Sequence, residues 1–103
     1  MNIKDYITLN ENITRLTTND INKNLKSGDA KFIETKYLKF DDKLHSSIYA
    51  GIFHDKNENT YGISTIEVYM DHSRKAHYKV SSNIIDEFDN LNDAKRELKR
   101  LIL

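Results

Sequence analysis

The chain has 103 residues, sixteen basic and sixteen acidic side chains, and no cysteine, proline or tryptophan. That length fits one domain, and zero cysteine excludes a disulfide framework, thiol chemistry and thiolate metal sites. Zero net charge excludes a whole-molecule field toward nucleic acid or membrane, and no apolar run approaches the ~18 residues of a membrane span, so a cytoplasmic protein is expected. In chain order, Tyr6–Leu9 and Ile13–Leu16 flank Asn10-Glu11-Asn12, which fits a short hairpin or a broken helix. Next, Thr18 suits a helix cap, Ile21 and Leu25 share a helix face, and Gly28 suits a C-terminal stop.

From residue 31 the apolar period becomes two. Strands are predicted over Phe32–Phe40, Ser46–His54, Thr60–Met70 and Ala76–Ser82, separated by polar, hairpin-length breaks. Phe88, Leu91, Ala94, Leu98, Leu101 and Ile102 then recur at three- and four-residue spacing, one face of a helix, with Asn90 and Asp93 forming a capping box one methylene short. The expected fold is α+β: a four-stranded antiparallel meander, a C-terminal amphipathic helix on one face and a short N-terminal helical segment. One domain spans 1–103, divided into an N-terminal helical or irregular segment (1–30), the sheet (31–82) and the C-terminal helix (88–103).

Register predicts what each sheet face carries. Pairing the second and third strands symmetrically about Asn57 puts Ile48, Ala50, Ile52, Ile66, Val68 and Met70 on one face. A three-residue loop, His72-Ser73-Arg74, adds Ala76, Tyr78 and Val80. The first strand adds Phe32, Leu38 and Phe40, giving a floor for the C-terminal helix. The opposite face then holds Tyr37, Tyr49, Phe53, Tyr61 and Tyr69, with His45, His77, Glu67 and Lys79 among them. Residues 1–30 cover that face as ordinary core, or it is a recognition surface, since tyrosine offers large contact area and a polar end.

Chemical motifs are mostly negative. There is no GxGxxG, P-loop or GxSxG signature. His45, His72 and His77 with Asp41, Asp42 and Asp71 are the residues a zinc site would need, but their spacing is ordinary for surface side chains, so neither metal nor cofactor is expected. His72 beside Asp71 has no nucleophile with it, and a non-enzymatic protein is expected. The block Lys95, Arg96, Lys99 and Arg100 follows acids and reads as a complement to the helix dipole.

Nucleic-acid binding is the alternative. Aromatics on an open sheet hold single strands by stacking, and Arg74, Lys75 and Lys79 put charge at one corner. The segment Phe88-Asp89-Asn90-Leu91-Asn92-Asp93-Ala94-Lys95-Arg96-Glu97-Leu98 loosely resembles the end of the arm-type DNA-binding domain of phage integrases, where a phenylalanine and an alanine anchor the terminal helix under a DNA-reading sheet. The family's Gly-Lys-rich turn is missing here.

In size, lack of cysteine, Asn/Lys/Ile bias and terminal amphipathic helix, the whole chain resembles small accessory proteins of phages and mobile elements of AT-rich bacteria, among them anti-CRISPR and other anti-defence inhibitors. That resemblance implies an inhibitor or modulator in the host cytoplasm, docking on a host protein such as a nucleic-acid-handling defence complex. A neutral chain argues for direct docking over DNA mimicry, and a homodimer is compatible with the sequence.

Overall fold

The computed structural model describes residues 16–26 and 31–101. Its elements are α1 (Thr18–Lys23), β1 (Phe32–Asp41), β2 (Ser46–Asp55), β3 (Thr60–Met70), β4 (Ala76–Phe88) and α2 (Leu91–Leu101). The strands pair antiparallel in chain order, β1-β2-β3-β4. This is the predicted α+β meander with a short helix before it and a longer one after it. The predictions for Tyr6–Leu9, for most of Ile13–Leu16, for Gly28 and for Ile102 lie outside the described residues.

Each turn is built by an aspartate, not by glycine. Asp41 Oδ1 accepts from the amides of Lys43 (3.0 Å) and Leu44 (3.1 Å). Asp55 Oδ1 accepts from Asn57 (3.0 Å) and Glu58 (3.3 Å), and Asp71 Oδ1 from Ser73 (2.8 Å) and Lys75 (2.9 Å). A carboxylate folded onto amides ahead of it stands in for a backbone acceptor. Each turn also contains one left-handed residue: His45 (φ 51°), Asn59 (φ 54°) and Arg74 (φ 64°). The third turn is the expected three-residue loop, closed by Asp71 N donating to Lys75 O at 3.0 Å with Met70 opposite Ala76.

The second turn corrects the register. Residues 56–59 form a four-residue connection, so Asp55 faces Thr60, Ile52 faces Ile63 and Ile48 faces Glu67. Symmetric pairing about Asn57 is one residue out. Because side chains alternate across a sheet, that slip moves Ile66, Val68 and Met70 to the face opposite Ile48, Ala50 and Ile52. In β1 the centre is as expected, with Tyr37 opposite Tyr49, but irregularities between Phe32 and Glu34 and between Tyr37 and Lys39 shift both ends. Phe32 therefore pairs with Phe53, and Phe40 with Ser47, on the face away from α2.

Two cores result, one on each face. On the first, Ile21, Leu25, Phe32, Tyr49 and Ile66 are buried, with Val68, Tyr78 and Val80 packed against them. On the second, α2 sends Ala94 and Leu98 against Ala50, Ile52 and Ile63, with Leu38, Leu91 and Leu101 at the margin. Each aliphatic side chain fully buried in this way contributes about 1.5–3 kcal/mol. The N-terminal helix thus forms a partial third layer.

Local chemistry fixes both helices. Thr17, not Thr18, caps α1: its Oγ1 accepts from Asp20 N and Asp20 Oδ2 accepts from Thr17 N, both at 3.1 Å. Thr18 ties α1 to the sheet instead, its Oγ1 accepting from Thr35 N at 3.0 Å. The Asn22 amide pairs with the Phe32 backbone, donating to its carbonyl and accepting from its N–H at 2.9 Å each, as a neighbouring strand would. At the other end, β4 runs past Ser82 to Phe88, and α2 begins at Leu91 instead of residue 88. Asn90 Oδ1 accepts from Asp93 N at 2.9 Å, so Asn90 caps α2, but Asp93 Oδ2 accepts from the Asn90 side-chain amide (2.9 Å) and not from its backbone N–H, as the expected capping box would require. Neither described helix is long and apolar enough to cross a membrane.

Candidate functional site

The corrected register divides the predicted recognition face. Tyr37, Tyr49 and Phe53 lie on the α1 face, whereas Tyr61, Tyr69, His77 and Lys79 lie on the α2 face. Tyr49 is 1% exposed, and its hydroxyl accepts from Leu16 N at 2.8 Å. Tyr37 packs edge-on against it, ring centres 5.4 Å apart. Phe53 lies over Gly62, where an added Cβ would come within 2.6 Å of the ring, and meets Phe32 edge-on at 6.4 Å. Tyr49 is core on the side covered by α1, and Tyr37 and Phe53 are partly buried against that core. Tyr61 joins the margin of the α2 core and lies 4.9 Å from the His54 ring.

What stays together is the end of the sheet carrying the β1–β2 and β3–β4 turns. On its α2 face, Tyr69 stacks on His77 with ring centres 5.1 Å apart and planes 17° from parallel. His77 Nε2 donates to Asp71 Oδ2 at 2.8 Å. This bond, followed by the Lys75 and Ser73 amides, holds the Asp71 carboxyl below the ordinary aspartate range. Ser46, buried beneath, donates to Glu67 Oε1 at 2.7 Å. Lys79 stands across from Glu67 and is exposed. His45, Arg74 and Lys75 are exposed in the two turns at this end. Thus Asp71 and Glu67 sit among the cations of the predicted basic corner and offset them.

On the other side of the same end lie residues whose exposure sequence reasoning missed. Phe40 is 49% exposed and Met70 60%, and Leu44 in the first turn is 56% exposed. Phe40 and Met70 were expected beneath the C-terminal helix. The α1 core stops at Val68 and Tyr78; burial there, and then the charge of Asp20, push the Tyr78 hydroxyl up. The β1 irregularity between Tyr37 and Lys39 moves Phe40, and the four-residue second turn moves Met70, to the face away from α2, and the pattern of apolar residues carries neither signal.

Among the described residues, no group of three His, Asp or Glu side chains is placed to hold a metal ion. No protein-family model, curated protein or solved structure matches the chain.

Proposed function

We propose that this protein acts by docking the turn-bearing end of its sheet on another protein, as a non-enzymatic inhibitor or modulator. One observation carries the reading: Phe40, Leu44 and Met70 stay half exposed or more at an end that neither described helix covers. Single exposed apolar residues are ordinary, but several at one place, rimmed by polar groups, mark interaction surfaces. On the opposite face of the same end, the Tyr69–His77 stack is already fixed by Asp71, so a partner that wraps the end would cost it less rotamer freedom. The likeness in composition to phage accessory proteins makes a bacterial defence protein, such as a CRISPR effector, the partner class to test first. The alternative nucleic-acid corner at Arg74, Lys75 and Lys79 is weakened by Asp71 and Glu67 lying among its charges.

The test is capture of purified effectors by the tagged full chain, beside an effector activity assay. Phe40→Ser and Met70→Ser should each weaken capture and inhibition about tenfold or more, with little change in melting, as truncated interface anchors do. Capture that survives both substitutions would place the interface elsewhere. Absence of capture across effector classes would remove the defence-protein assignment.

A further inference from the structure

Between β1 and α2 lies a groove of about 380 Å³, lined by Glu34, Lys36, Asn92, Lys95, Arg96 and Lys99. Its two walls come from distant parts of the chain. Glu34 and Lys36 project from β1 on the α2 face, opposite Ile52 and Ala50. Lys95 and Lys99 stand one helical turn apart on α2, beside the stripe of Ala94 and Leu98 that enters the core. β1 is an edge strand of the sheet.

Four cations against one carboxylate leave about three positive charges in one groove of a chain whose net charge is zero. Arg96 is partly engaged, 3.7 Å from Asp93. Among the described residues, no carboxylate forms an ion pair with Lys36, Lys95 or Lys99. The helix dipole accounts for bases in the last turn, Lys99 and Arg100, but not for Lys95 in mid-helix or Lys36 on a strand. Like charges brought together without partners repel, and an anion seated among them relieves that repulsion.

The lining also states which anion. It contains no apolar side chain, whereas protein segments bind chiefly through buried apolar or aromatic anchors. A phosphate backbone needs no such anchor: lysines and arginines hold it by charge, and an amide such as that of Asn92 adds a hydrogen bond. We infer that this groove seats the phosphate backbone of one nucleic-acid strand, without reading its bases. The inference uses none of the residues proposed for protein docking and stands or falls separately.

The experiment is fluorescence anisotropy of the full chain with a labelled single-stranded oligonucleotide and its duplex. If all four cations meet phosphates, single-strand affinity falls about 50-fold between about 50 and about 200 mM salt. The double substitution Lys95→Gln and Lys99→Gln should weaken low-salt binding more than about tenfold and roughly halve the slope against log salt. Glu34→Gln should tighten it by removing the one repelling charge. All three side chains lie outside the cores, and unchanged circular dichroism and melting would confirm intact variants. No binding of either oligonucleotide at low salt overturns the inference, as does binding indifferent to the lysine substitutions. Loss caused instead by Arg74→Ala with Lys75→Ala would move the contact to the turn. Displacement by polyglutamate at lower charge concentration than by unlabelled oligonucleotide would assign the groove to an acidic protein segment.

Discussion

Replacing Tyr49 by phenylalanine removes one oxygen and keeps the ring. That oxygen accepts the Leu16 N–H at 2.8 Å, where the chain enters α1 over the sheet. A polar group left unpaired in a buried site costs about 1–3 kcal/mol. Leu16 is half-buried and water can reach part of it, so a loss of about 1–2 kcal/mol is expected. For a domain of this size that lowers Tm by roughly 4–16 °C. Tyr49→Ala removes the ring as well, from a site 1% exposed, and should cost about 3–5 kcal/mol. A total stability of about 5–15 kcal/mol makes this the difference between a folded and a partly unfolded population. The control is Tyr69→Ala, on the other face and half-buried, which should cost clearly less. Urea titrations followed by circular dichroism would measure all three. A Tyr49→Phe change under about 0.5 kcal/mol, with Tyr49→Ala no worse than Tyr69→Ala, would refute the placement of Tyr49 as the centre of the α1-side core.

Gly51→Ala should destabilise by about 1–3 kcal/mol, because its Cβ would lie 2.5 Å from Phe32 Cδ1. Urea titration of the double variant with Phe32→Leu should show less than the sum of the two single losses, since the residues share one space. Asp71→Asn should flatten the acid limb of stability against pH. The Asp71 carboxyl titrates below its unfolded value, so its stabilisation is full above the ordinary aspartate pKa of ~4 and is lost as pH falls through the lowered folded value. Urea midpoints from neutral pH downward should therefore drop more steeply in the wild-type chain than in the variant.

The elements were legible because the period changes sharply. Leu91, Ala94, Leu98 and Leu101 mark α2, and Ile48, Ala50 and Ile52 mark β2. The arrangement of faces was not, for a reason visible in β2. Its residues from Ser46 to Ile52 are almost all buried, since both sides of the strand are covered, so alternation does not say which side is which. Register then depended on whether residues 56–59 make an odd or an even turn, a matter decided by the Asp55 carboxylate and the left-handed Asn59. One residue of slip separated Tyr49 from Tyr69 and put Met70 in view, and the β1 irregularity after Tyr37 did the same for Phe40. The β3–β4 pairing from Met70–Ala76 to Ile66–Val80 was legible because burial of Tyr78 and Val80 admitted one loop length, but these residues pack on the α1 side and not beneath the C-terminal helix. The groove was hidden for another reason: Lys36 and Lys95 are far apart in sequence, and nothing in either segment points to the other.

The aspartate-built turns bear on how the chain finds its structure. Each strand pairs with the next one along, across three connections that carry their own hydrogen bonds, so every hairpin has a local start that does not wait for the rest of the sheet. Closing such short loops takes little entropy, and sheets assembled this way escape the slow search that crossover connections impose. With no proline in the chain, slow prolyl isomerisation is also absent from the path. The sheet can therefore be expected to assemble as a succession of neighbouring hairpins, on which the two helices close afterwards from opposite sides.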